Sequence, residues 1–358
     1  MRIVLAPFNQ PFDSSMNLSR SVFSFGSPCN GQYGHLVLRD GGEIYGYSHP
    51  NEHSWSYDNE TLHLHGIDGS VTSRFKHCNI SGGWFGHVED RKWPLYLVPI
   101  LQLEAPVGDI NASRPSFFVN SIPKSGTYYV EAALQAIGIA SQRLHLSGRD
   151  TVDDYRELPE SLIHVAPEKV RLSCEAELIT AMLQGEQTVG HIEHQWVIDK
   201  IRAQRVCVLS VVRNLRNVIA SLFRFKQSKV APTSAIDQYW RELTGSEQII
   251  GFLFHHAERD LAHIRAIADM MQRDSDAILL RYEDMCVGSI SPAATERLNA
   301  VEPGIAERLC SSLAQQYGHA NPTYSGSTSD WTNIWNPDLE RYFVTSGLSD
   351  LNHSLGYE

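Results

Sequence analysis

An apolar run that ends in a short polar turn and re-emerges as a helix constrains this chain more than any other stretch. Ser116-Phe117-Phe118-Val119-Asn120 reads as a buried strand, and Val130 to Ile137 as an apolar-periodic helix. Between them lies Ser121-Ile122-Pro123-Lys124-Ser125-Gly126-Thr127-Tyr128-Tyr129. Such a turn aims free backbone N–H groups at an anion, and the helix N-terminus adds partial positive charge. Gly126 lets the chain bend close to an oxyanion, Ser125 and Thr127 bring hydroxyls, and Lys124 brings a mobile ammonium. The residue order disfavours an ordinary nucleoside-triphosphatase. A Walker loop places its lysine after the glycine, whereas here Lys124 precedes Gly126 and no glycine stands at Asn120 or Ser121.

The chain has 358 residues, enough for a large domain plus a smaller one. A formal charge of −11 argues against a nucleic-acid or anionic-membrane binder, so an anionic ligand has to be held by local groups. The six cysteines are scattered without a C-x-x-C pair, which fits a reducing cytoplasm. No stretch approaches the ~18–20 apolar residues of a membrane span, and the N-terminal apolar run is too short for a signal core.

Residues 1–110 read as a small antiparallel all-β accessory domain. Short alternating runs such as His35 to Leu38, Glu43 to Tyr47, Thr61 to His65 and Val71 to Phe75 are separated by turns such as Asp68-Gly69. Trp55, Trp84, Trp93, Tyr45, Tyr47 and Tyr57 gather here, either as the core of a small β unit or as a platform for an acceptor. His63 and His65 would share one strand face, but no third metal ligand has matching spacing, so no metal site is expected.

Residues 111–358 read as an α/β domain. Apolar strand candidates at Thr188 to Glu193, Arg205 to Val212 and Asp276 to Tyr282 alternate with helical stretches at Val197 to Ala203, Asn214 to Lys226 and Ile236 to Met271. That alternation implies a parallel sheet flanked by helices, with ligands at the carboxyl ends of the strands. Chemistry is therefore expected just after Asn120, Val189, Val212 and Leu280.

Pro123-Lys124-Ser125-Gly126-Thr127 resembles the 5′-phosphosulfate loop of sulfotransferases that use 3′-phosphoadenosine 5′-phosphosulfate (PAPS). Arg213-Asn214-Leu215 with Ser221 resembles that family's 3′-phosphate element, usually R-[ND]-P-x-[DN]-x-x-x-S, with Leu215 replacing the proline and loosening the turn. Tyr282-Glu283-Asp284-Met285 resembles the adenine-side Y-E-D-[LM]. Ser325-Gly326 through Trp331 is similar to the terminal R-K-G-x-x-G-D-W loop, with Tyr324 and Ser325 in place of the Arg-Lys pair. The resemblance spans about residues 115–357. It implies a PAPS-binding set of Pro123, Lys124, Ser125, Gly126, Thr127, Tyr128, Tyr129, Arg213, Ser221, Tyr282, Ser325 and Gly326. Tyr129 stands where a tryptophan usually stacks on adenine.

The family implies transfer of a sulfuryl group to a hydroxyl by in-line attack, leaving the desulfated nucleotide PAP, with no metal required. Lys124 would neutralise the departing oxygen. A general base is expected at Gly190-His191-Ile192-Glu193-His194; His191 leads, with Glu193 on the same strand face as its orienter or as the base itself, and His194 as a third choice. Acceptor contacts are expected within Leu144 to Leu178 and Lys226 to Trp240. The acceptor is read as a small molecule or glycan, first a carbohydrate or secondary metabolite. No nucleic acid and no membrane span are expected, and oligomerisation is left open. A non-catalytic nucleotide or glycan binder on the same fold, or a P-loop nucleotide kinase, are the alternatives.

Overall fold

The computed structural model describes residues 18–104, 114–157, 170–318 and 330–358. The chain separates into two compact units, Met1–Ala105 with Glu177–Met182, and Pro106–Ala176 with Leu183–Glu358.

The first unit is an eight-stranded antiparallel meander, larger than a small appendage. Its strands are β1 (Ser21–Ser27), β2 (Gly31–Leu38), β3 (Ile44–Tyr45), β4 (Ser54–Asp58), β5 (Thr61–His65), β6 (Val71–Cys78), β7 (Gly83–Val88) and β8 (Pro94–Gln102). In the order β3-β2-β1-β8-β7-β6-β5-β4 every strand lies beside its sequence neighbour. The two ends of that order also meet, through the antiparallel bridge Glu43–Ser54 and a 2.9 Å bond from Trp55 N–H to the Gly42 carbonyl. The sheet therefore closes on itself as a barrel, which leaves no long free edge. Phe23, Phe25, Leu36, Leu62, Leu64, Phe75 and Leu97 alternate inward and fill it, with Trp84, Trp55 and Tyr47 packed into the same cluster. These aromatics are thus core, while Trp93 is exposed. His63 and His65 do share a face, their rings 6.4 Å apart, but His63 Nε2 bonds Asp58 and His65 Nε2 bonds Ser56.

The second unit is built on a seven-stranded sheet. Its strands are β9 (Ser116–Ser121), β10 (Ser141–Ser147), β11 (Thr151–Asp154), β12 (Arg171–Ser173), β13 (Gln187–His191), β14 (Val206–Val212) and β15 (Ile278–Arg281), in the order β12-β11-β10-β13-β9-β14-β15. The pairs β10–β13, β13–β9, β9–β14 and β14–β15 are parallel, but β10–β11 and β11–β12 are antiparallel. The sheet is therefore mixed, not the wholly parallel one expected. The cause is local: the turn after β10, Gly148-Arg149-Asp150 with Gly148 at φ +58°, is far too short for a parallel crossover.

Helices α1 (Thr127–Ala136), α2 (Ala176–Thr180), α3 (Gln195–Ala203) and α4 (Leu215–Ser228) follow in the chain. The long helical region expected over Ile236 to Met271 is broken into α5 (Ala235–Glu242), α6 (Gly245–His256), a π-helical turn (Ala257–Leu261) and α7 (Ala262–Arg273). Leu243 turns extended and Gly245 takes φ +59°, which separates α5 from α6. After β15 come α8 (Tyr282–Met285), α9 (Pro292–Val301), α10 (Ile305–Gln316), α11 (Pro337–Thr345) and α12 (Leu348–Ser354). Phe117 and Val119 on β9, Leu209 and Val211 on β14 and Val130 and Leu134 on α1 are buried in one cluster. Each such side chain contributes roughly 1.5–3 kcal/mol, which holds α1 against the sheet and fixes the turn between them. Among the described residues no helix is long and apolar enough to cross a membrane.

Candidate active site

β9 lies centrally, with β13 on one side and β14 on the other, and the strand ends are level: Gly190 pairs with Asn120, Ser121 with Val211, and Val212 with Arg281. Chain that leaves these four carboxyl ends has to converge on one crevice. It does so around a cavity of about 740 Å³, lined by Lys124 after β9, His191 ending β13, Arg213 after β14 and Tyr282 after β15.

The turn after β9 takes a shape that its sequence permits at one residue and strains at another. Gly126 sits at φ +97°, and a Cβ there would meet the Tyr282 ring at 2.7 Å, so only glycine fits. Lys124 is also left-handed, at φ +71°, an uncommon setting for a side-chain-bearing residue. Its carbonyl accepts a 3.0 Å bond from Arg213 Nη1, which braces the strained turn. The Lys124 ammonium lies 3.8 Å from the Phe225 ring centroid, and its pKa is lowered to about 7 by burial first and by Arg213 and Lys226 next. Ser125 is fully buried and its hydroxyl has no partner among the described residues. Thr127 instead spends its hydroxyl on Ser121 Oγ, 2.6 Å away.

Arg213 is 4% exposed, with its guanidinium 4.4 Å from the Tyr282 ring centroid. Asn214 caps α4 by accepting from Arg216 N–H. Ser221, two turns along α4, lines the same cavity as Arg213. The loosening expected from Leu215 does not occur. Proline would bring no N–H at this first helical position; Leu215 does, and it donates to Asn352 Oδ1 at 2.7 Å in a buried setting.

His191 ends β13 with its Nδ1 2.7 Å from the Ser121 carbonyl oxygen and 3.2 Å from Ser121 Oγ. A carbonyl only accepts, so Nδ1 carries the proton and Nε2 keeps its lone pair. Burial, then the neighbouring His145, hold the imidazole well below its usual pKa, with His263 and Lys124 adding to the effect. The ring is therefore neutral at pH 7. His145 lies edge-on to it, centroids 4.6 Å apart.

Glu193 does not share a strand face with His191, because β13 stops at His191. Its carboxylate lies instead between two other imidazoles, 3.6 Å from His263 Nδ1 and 3.5 Å from His194 Nε2. Neither Glu193 nor His194 lines the cavity. Pro123, Thr127, Tyr128 and Tyr129 do line it, although the Tyr129 hydroxyl is turned to the Met285 and Leu313 carbonyls, at 3.0 and 2.7 Å. Ser325 and Gly326 lie outside the described residues. Also lining the cavity, His145, Ser147, Tyr155 and Lys226 fall within the stretches expected to meet an acceptor. Glu258, Arg259 and Asp260, on the π-helical turn, and His263, on α7, were not foreseen, because the whole segment reads in sequence as ordinary helix.

The donor set fits a nucleotide bearing phosphates. Two cations, Arg213 and Lys226, are close enough to Lys124 to add to the lowering of its pKa by burial, a crowding that an anion would relieve, and the Ser125 hydroxyl, without a partner among the described residues, stands in the same turn. Residues 114–287 match the sulfotransferase domain family. None of the curated proteins matches the chain. A crystal structure of the mouse sulfotransferase SULT7A1 complexed with PAP has a TM-score of 0.36 and 13% identity, covering 70% of this chain and 93% of that one. Residues 114–287 of the chain thus carry a sulfotransferase domain.

Proposed function

We propose that the protein is a PAPS-dependent sulfotransferase that sulfates a hydroxyl of a carbohydrate or secondary metabolite, with His191 as general base. The observation that carries this reading is the meeting of Lys124, His191, Arg213, Ser221 and Tyr282 around one cavity. Lys124, Ser125 and Gly126 would hold the 5′-phosphate end, Arg213 and Ser221 the 3′-phosphate, and Tyr282 the adenine side. When bound, PAPS supplies the activated sulfuryl group.

The chain's own groups then have three tasks. His191 Nε2 takes the proton of the acceptor hydroxyl as its oxygen bonds to sulfur, and the orientation at Ser121 fixes which nitrogen is available. Lys124 meets the negative charge that develops on the departing 5′-phosphate oxygen as the S–O bond breaks. Arg213 ties the two phosphate-binding elements together through the Lys124 carbonyl, so both are positioned by one guanidinium. Six unpaired thiols support a reducing compartment such as the cytoplasm.

The test is direct. Calorimetry with PAP in the absence of magnesium, beside ATP with magnesium, asks which nucleotide the site takes. Release of PAP from PAPS in the presence of hydroxyl acceptors then asks for turnover. Preference for ATP would move the protein to the phosphotransferases, and PAP binding without turnover on any acceptor would leave a nucleotide-binding protein.

A further inference from the structure

Part of the cavity is lined by residues of the π-helical turn Ala257–Leu261 and of the first turn of α7. A π-turn widens the helix, and here the consecutive residues Glu258, Arg259 and Asp260, together with His263, all line the cavity. Two of these are pre-set as hydrogen-bonding groups. Asp260 receives Lys226 Nζ on Oδ1 at 2.9 Å and His256 Nδ1 on Oδ2 at 2.7 Å. Those donors keep it ionised, and each oxygen retains a lone pair. His263 has its Nδ1 toward Glu193, whose Oε2 is buried without a hydrogen bond, so its Nε2 is the nitrogen left for another group.

We infer that Asp260 and His263 select the acceptor, holding hydroxyls other than the one that attacks, and that the acceptor is accordingly a polyhydroxylated ring and not a mono-alcohol or phenol. This rests on the sulfotransferase reading and specifies its acceptor. An anchored carboxylate accepts from a hydroxyl, and the Nε2 of an imidazole pairs with a second. A flat apolar ring would strip water from both and return no bonds.

Matched six-membered rings test this in the PAP-loaded protein. Binding of cyclohexanol, cis-1,2-cyclohexanediol and myo-inositol is followed by ligand-observed NMR, with PAP affinity measured separately. Affinity is expected to rise in that order, by about tenfold for each added charge-assisted bond. Asp260→Asn and His263→Ala should each weaken myo-inositol by about tenfold and leave cyclohexanol unmoved, with PAP affinity serving as the check on folding. His263→Gln, which keeps an acceptor, should recover part of the loss. Equal or tighter binding of cyclohexanol, absence of detectable polyol binding, or variants that weaken all three rings alike would each overturn the assignment while PAP binding stands. Loss of PAP binding in the unaltered protein would instead remove the sulfotransferase reading itself, and this inference with it.

Discussion

The Nδ1 atom of His191 lies 2.7 Å from the main-chain oxygen of Ser121, the last residue of the strand that feeds the phosphate turn. One contact thus sets the tautomer of the proposed base and fixes its ring to the element that would hold the sulfuryl donor. His191→Gln is expected to lower turnover by about a hundred- to ten-thousandfold with PAP affinity little changed. PAP release measured beside calorimetry separates the two effects, and near-normal turnover in the variant would move the base elsewhere in the cavity.

The pH profile follows from two depressed pKa values with opposite requirements. His191 has to be unprotonated, so activity is lost as pH falls through a pKa well below 6.5. Lys124 has to be protonated, so activity is lost as pH rises through about 7. Since kcat/KM reports the free enzyme, its optimum is expected on the slightly acid side of neutrality. Lys124→Arg keeps its charge at every accessible pH and should carry the alkaline limb upward, whatever it does to the maximum. An alkaline limb that stays in place would detach it from Lys124.

Arg213 is buried, braces the Lys124 carbonyl and lies over Tyr282. Arg213→Ala should weaken PAP by on the order of 10- to 100-fold, the loss expected for charge-assisted bonds to one phosphate. Titration with adenosine 5′-phosphosulfate, which lacks the 3′-phosphate, gives the control: its affinity should fall less.

Gly126→Ala places a methyl 2.7 Å from the Tyr282 ring at a backbone angle that side chains rarely adopt. Both the turn and the ring have to shift, at a cost of about 1–3 kcal/mol for the backbone alone. Thermal melts should show a lowered midpoint, and PAP should no longer raise it. A variant stabilised by PAP as strongly as the parent would show that the turn tolerates a side chain.

Asn352 on α12 accepts the otherwise unsatisfied N–H of Leu215. Asn352→Ala strands that donor in a buried site and should cost about 1–3 kcal/mol. Leu215→Pro deletes the donor at a position where proline suits a helix. The two losses should therefore be less than additive in a denaturation cycle, because the second removes the group that the first abandons. Strict additivity would mean that Asn352 acts through other contacts.

Much of the second unit was legible because its strands are continuous apolar runs. Val206–Val212 is wholly buried, and its polar exit at Arg213 lines the cavity. What escaped notice was set by geometry that hydrophobic periodicity does not encode. The π-helical turn at Ala257 keeps the spacing of an ordinary helix in sequence yet turns Glu258 to Asp260 into the cavity. A period of two continued past the end of the strand pairs Glu193 with His191, but β13 stops two residues short of Glu193, whose carboxylate lies beside His263. The first unit showed its strands but not their closure, since the Glu43–Ser54 bridge joins segments that no alternation pattern links.

The barrel borrows from far along the chain. Arg20, 1% exposed just before β1, donates to the Met182 carbonyl at 2.8 Å, and Glu177–Met182 cluster with the barrel although they lie between strands of the other unit. During synthesis the N-terminal strands leave the ribosome first but cannot offer Arg20 that acceptor until residue 182 has emerged. A truncation after residue 105 would remove it for good. The order of translation and the order in which this chain completes its first unit therefore differ.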